Sequence, residues 1–260
     1  MSVHVDVAGS GTEVVLIHAG ICDSRMWDPQ WPVLTREHRV LRLDLRGFGR
    51  SPLGPGDLCH AQDVLDAMDR YDVARAAVVA ASMGGAVALD LTLAAPERVG
   101  GLALLAPAMD HEFSPELVAK WDDEEEALER GDLDEAVEIN LRLWVDGPGR
   151  PAGAAPADVR GLVAQMQRRA FELQVAAGDD VDERMLSSGE MSSRLGEIAV
   201  PALVLIGDHD VSDFRAIAGL VAQGIPGARL ETVTGAAHLP SMEQPEAVED
   251  LLVPFLLENA

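Results

Sequence analysis

Val78-Val79-Ala80-Ala81-Ser82-Met83-Gly84-Gly85 opens as a short, β-branched apolar run and closes on paired glycines. The run reads as a buried strand. The stretch after it, Ala86 to Ala95, reads as a helix stopped by Pro96. Ser82 sits at the junction, with a small residue two places before it (Ala80) and two places after it (Gly84). A strand-to-helix turn this tight crowds both of those neighbours and strains the serine, lifting its hydroxyl clear of the sheet. The start of the helix presents free N–H groups and the positive end of its dipole, which favour an oxyanion nearby. The stretch predicts a nucleophilic serine whose hydroxyl stands clear of an α/β sheet.

Working outward, the same rhythm repeats. Val3–Val7 alternates as a half-exposed edge strand does, and Val14–Ile17 is continuous and buried in character. A loop with Trp27, Trp31 and Leu34 follows, read as a core-packing helix. Arg39–Leu43, Ala76–Ala80, Gly101–Ala106, Pro201–Ile206 and Ala228–Val233 are further strands. Asp57 is expected to cap a helix running to about Met68, and helices are expected over about 213–223 and 245–257. Between Ala108 and about Glu197 no strand is visible. Helical patterns cover 115–130, 133–145 and 157–177, with a short piece near 190–195 and a glycine- and proline-rich hinge at 147–153. The acidic run Asp122–Glu126 reads as a solvated helix face. The expected architecture is α/β: a mostly parallel, doubly wound sheet built from residues 1–107 and 198–260, with a helical cap inserted at 108–197.

The 260 residues suffice for one such domain and a large core. A formal net charge of −24 argues against nucleic acids and anionic membrane surfaces as partners. Cys22 and Cys59 make neither a disulfide framework nor a zinc spacing. With no signal peptide and no membrane-length apolar run visible, a soluble, cytoplasmic protein is expected. A homodimer is compatible with the composition.

In open parallel sheets the site lies at the carboxyl ends of the strands. Ser82, Asp210, His238 and the His18 loop all follow strand ends. A serine hydroxyl needs a base, and a histidine oriented by a carboxylate supplies one. The chain order Ser82, Asp210, His238 is the order expected with an elbow serine. Asp208 is the alternative carboxylate to Asp210, and either aspartate can form the turn. The oxyanion calls for N–H donors from Met83 and from the loop after Val14–Ile17, at Gly20 or Ile21. His18 reads as a tie for that loop, and Asp44 with Arg46 as a buried or loop-fixing ion pair. Met166, Met185 and Met191 either line an acyl pocket or pack helices. The scattered histidines make no metal pattern, and no GxGxxG or Walker sequence occurs, so no cofactor or metal is expected.

Taken together, these residues resemble the α/β-hydrolase superfamily over nearly the whole chain. Leu16-Ile17-His18-Ala19-Gly20 looks like its oxyanion loop and Asp44-x-Arg46-Gly47-x-Gly49-x-Ser51 like its DxRGxGxS loop. Ala80-x-Ser82-x-Gly84 resembles its nucleophile elbow, Gly207-x-x-Asp210 its acid turn, and His238 its late histidine. Alanine replaces the usual glycine at 80 and at 19. Among its members the chain is similar to small cap-bearing esterases, enol-lactonases and carbon–carbon bond hydrolases. The resemblance implies a cofactor-independent serine hydrolase acting on a small acyl substrate, an ester or a lactone. The alternatives are C–C cleavage, lyase or peroxide chemistry on the same triad, or ligand binding with little turnover.

Overall fold

A computed structural model describes residues 3–178 and 180–260. Its centre is a seven-stranded sheet in the order β1-β3-β2-β5-β6-β8-β9. The strands are β1 (His4–Gly9), β2 (Thr12–Ile17), β3 (His38–Asp44), β5 (Ala76–Ala81), β6 (Val99–Leu105), β8 (Ala202–Gly207) and β9 (Arg229–Val233). Only β1 is antiparallel, at the edge beside β3. Val14 pairs with Val40 on one side of β2 and with Ala77 on the other. The central strands β5, β6 and β8 are apolar on both faces because helices cover both, and every residue of β5 and β8 is buried.

The helices of the core are the single turn α1 (Trp31–Leu34), α2 (His60–Arg70), α3 (Met83–Ala94), α7 (Ser212–Gly224), α8 (Pro240–Glu243) and α9 (Pro245–Asn259). α3 is apolar nearly all round and buried along most of its length, as the central helix of a layered core must be. Between β6 and β8 the chain leaves the sheet for α4 (Pro115–Glu129), α5 (Leu133–Asn140) and α6 (Ala157–Ala177). No helix among the described residues is long and apolar enough to cross a membrane.

Four local expectations are corrected. Asp57 does not cap a helix: Gly56–Leu58 is a strand, β4, and α2 starts at His60. Its partner is β7 (Val181–Glu183), a strand inside the region where none was expected. The two pair in parallel, extended by Gly56 N–H to Asp180 O and Arg184 N–H to Leu58 O, both 2.8 Å. The helix expected over 133–145 changes pitch at Leu141, and Leu141–Asp146 is a π-turn. The helix expected around Trp27 is a 3₁₀ turn, Ser24–Trp27, followed by α1, although Trp27 and Leu34 do pack in the core.

Candidate active site

Ser82 has φ 51° and ψ −119°, a left-handed conformation that non-glycine residues adopt at a cost of about 1–3 kcal/mol. The surrounding backbone holds it there. Ser82 N–H donates to Leu105 O at 2.9 Å, and Ser82 O accepts from Gly85 N–H at 2.7 Å and Ala108 N–H at 2.9 Å. Position 84 must be glycine, since a Cβ there would stand 2.5 Å from His18 O and 2.8 Å from Ile17 O. Position 80 tolerates its methyl, which is fully buried.

His238 and Asp210 arrive from the loops after β9 and β8. Gly207 lets those loops touch, because a Cβ there would collide with Ala236 O and Ala237 O. His209 N–H donates to Ala236 O at 3.0 Å. The imidazole Nδ1 lies 3.0 and 2.9 Å from the two Asp210 oxygens, and Nε2 lies 2.8 Å from Ser82 Oγ. A carboxylate only accepts, so Nδ1 carries the proton and Nε2 is the acceptor facing the serine hydroxyl. His238 and Asp210 are each 2% exposed. Asp208 takes the other role: its Oδ1 accepts Gly235 N–H at 2.7 Å and shapes the turn. Two aromatic rings wall the imidazole, Phe214 at 4.6 Å edge-on and Trp144 at 4.5 Å. Trp144 sits in the π-turn, and its carbonyl accepts His238 N–H at 3.2 Å. Sequence reasoning missed both rings, since nothing local to either marks a neighbour of His238.

The loop after β2 has most of its amides engaged. Ala19 N–H donates to Met26 Sδ at 3.2 Å, Cys22 N–H to Ala19 O at 2.9 Å, Asp23 N–H to Met166 Sδ at 3.4 Å and Ser24 N–H to Asp44 Oδ1 at 2.8 Å. Among the described residues the amides of Gly20 and Ile21 have no such partner. Gly20 abuts Met83, whose side chain would lie 3.3 Å from a Cβ at position 20. Met83 N–H is the first amide of α3 and so has no acceptor within the helix. His18 is fully buried and ties the loop down: Nδ1 donates to Ala19 O at 2.8 Å and Nε2 accepts Leu45 N–H at 3.0 Å. Burial pushes its pKa below the ordinary value, keeping it neutral.

Asp44 and Arg46 do not pair with each other. Asp44 accepts from Ser24 N–H and from Arg50 N–H at 2.9 Å, whereas Arg46 Nε donates to Asp63 Oδ2 at 2.6 Å. Asp44 ends β3 and Arg46 lies in the loop that follows, so the side chains reach different partners. Of the three methionines singled out, Met166 is fully buried against the loop after β2, Met191 is buried, and Met185 is 44% exposed. No cluster of three or more His, Cys, Asp or Glu side chains among the described residues is arranged to hold a metal ion.

The alpha/beta hydrolase family model matches residues 14–251. A pimeloyl-[acyl-carrier protein] methyl ester esterase of Nitrosomonas europaea is 27% identical over 94% of this chain and 96% of its own length. The dihydrolipoyllysine-residue acetyltransferase component of the acetoin cleaving system of Pseudomonas putida is 43% identical over 96% of this chain and 64% of its own. The crystal structure of a hydrolase from Pseudomonas aeruginosa superposes with a TM-score of 0.79 at 30% identity, covering 98% of this chain and 93% of that one. The enol-lactonase from Burkholderia xenovorans superposes at 0.77 with 26% identity, covering 98% and 96%. With a family match through nearly the whole sheet and neighbours named for ester and lactone hydrolysis, the chain belongs to the alpha/beta hydrolase family.

Proposed function

We propose that the protein is a serine hydrolase that cleaves a small carboxylic ester or lactone through an acyl-enzyme. The observation that carries this reading is the line Ser82 Oγ, His238 Nε2, His238 Nδ1, Asp210, continuous at hydrogen-bond distance and closed over by aromatic rings. In this mechanism Ser82 Oγ attacks the carbonyl carbon while His238 Nε2 takes its proton. Asp210 holds the tautomer and stabilises the imidazolium. The tetrahedral oxyanion is held by the N–H groups of Met83 and Gly20, with Ile21 the alternative second donor. His238 returns its proton to the leaving alkoxide, and water, activated by the same imidazole, releases the acid. No cofactor enters any step. The helices inserted between β6 and β8 act as a cap that encloses a small-molecule acyl substrate.

The test is hydrolysis of chromogenic esters from acetyl to dodecanoyl, with wild type beside Ser82→Ala. A fall of about 10⁴-fold or more in the variant is expected, and the chain-length optimum sizes the pocket. Turnover undiminished by Ser82→Ala overturns the reading. A second reading rests on the 43% identical acetyltransferase component: the acyl-enzyme passes its acyl group to a thiol rather than to water. An added dithiol that raises the rate of ester consumption and appears acylated among the products separates the two.

A further inference from the structure

Glu243 closes α8, five residues after His238, and its side chain folds back beneath the histidine loop. Oε1 accepts Ala237 N–H at 3.0 Å and Leu239 N–H at 3.1 Å, and Oε2 accepts Ala237 N–H at 2.9 Å. The amide between them, that of His238 itself, donates to Trp144 O. All three consecutive amides around the imidazole are thus held, two of them by one carboxylate. The Glu243 side chain is 1% exposed. Burial pushes its carboxyl upward, and the amides of Ala237 and Leu239, Arg150 and His238 pull against that.

The cation facing it comes from elsewhere in the chain. Arg150 Nη1 lies 3.7 Å from Glu243 Oε2, and this buried nitrogen has no hydrogen-bond partner among the described residues. Arg150 belongs to the segment that follows the π-turn. That segment is pressed onto the same loops at Gly147, where a Cβ would stand 2.8 Å from His209 O and 3.0 Å from Ala237 Cβ. A buried carboxylate with a single distant cation is a poor choice for stability alone, since apolar packing commonly does as well. It is a good choice for orientation, because two oxygens accepting flanking amides fix the peptide planes on either side of the histidine.

We propose that Glu243 is a positioning residue for His238, and that Arg150 completes the device, so that seating the inserted segment and aligning the base are one event. The proposal rests on the serine-hydrolase reading, in which His238 is the base. Glu243 touches neither substrate nor Ser82 and acts only through the loop.

Glu243→Gln keeps the volume but sets an NH₂ group against one of the donated amides. Turnover per active serine, counted by fluorophosphonate titration, is expected to fall about tenfold to a hundredfold, as small misplacements of a reacting group do. KM is expected to stay within about twofold, because the substrate contacts are untouched. The low-field proton resonance of the His238 Nδ1–H to Asp210 bond is expected to shift or broaden. Arg150→Met changes both readouts in the same direction and by less. A lower melting temperature with unchanged turnover per titrated serine and an unchanged resonance would mean a merely structural role and overturn the proposal. If Glu243→Gln does not fold, Arg150→Met decides by the same two readouts, and no change in either overturns it. Should Ser82→Ala retain hydrolysis, the serine reading fails by itself, and the resonance in Glu243→Gln still decides whether Glu243 sets His238.

Discussion

Replacing His60 by leucine should flatten the acid side of the stability profile. His60 is the first residue of α2, 5% exposed, with no hydrogen-bond partner for Nδ1 among the described residues and with Glu183 Oε1 3.8 Å from Nε2. Burial first, then His18 and Arg46, push its pKa from 6.5 down to about 4. The unfolded chain takes up a proton near 6.5 while the native state refuses it until about 4, so stability falls as pH drops through that window. The full difference of about 2.5 units corresponds to about 3.4 kcal/mol, of which about 2 kcal/mol is lost between about pH 7.5 and pH 5. Urea unfolding of wild type and His60→Leu, followed by tryptophan fluorescence at those two pH values, isolates this term. The carboxylates titrate in both proteins and cancel in the difference. At the higher pH the variant should be about as stable as wild type, because the lost ring nitrogen Nδ1 had no partner to strand. An identical pH slope in the two proteins would refute the reasoning.

Gly84→Ala should abolish folded, active protein, because its methyl meets two carbonyl oxygens that the sheet holds in place. Ala80→Gly, which removes a methyl the elbow already accommodates, should leave hydrolytic activity intact, and soluble yield with initial rates reads both. Asp210→Asn should lower kcat about 10⁴-fold by disturbing the imidazole tautomer. Asp208→Asn, whose amide oxygen can still accept Gly235 N–H, should stay within about threefold of wild type. If those last two rates are exchanged, the assignment of the carboxylate is wrong.

The parts of the fold legible in the sequence are those written locally. The continuous apolar runs at 14–17, 78–81, 101–105 and 202–206 are strands because strands covered on both faces have no polar side to show. The elbow was legible because its sterics demand small residues at fixed offsets from Ser82. What escaped depends on distant partners. β4 and β7 are three residues each, too short for periodicity, and exist only because each finds the other. Asp44 and Arg46 look like a pair in sequence, yet Asp63 and the amides of Ser24 and Arg50 claim them. Glu243 carries no local mark of its contacts, which appear only once its oxygens are seen under Ala237 and Leu239. Trp144 carries no local mark either, because its backbone carbonyl meets His238 only through the fold.

That last contact bears on protein engineering. Inserted helices in such enzymes invite exchange as modules, one set grafted for another to change what is accepted. Here the segment sets a carbonyl and an indole against His238 itself. A chimera carrying a foreign insertion would therefore be altered in turnover as well as in selectivity. A graft that retained residues 144–150 from this chain would keep the two properties separable.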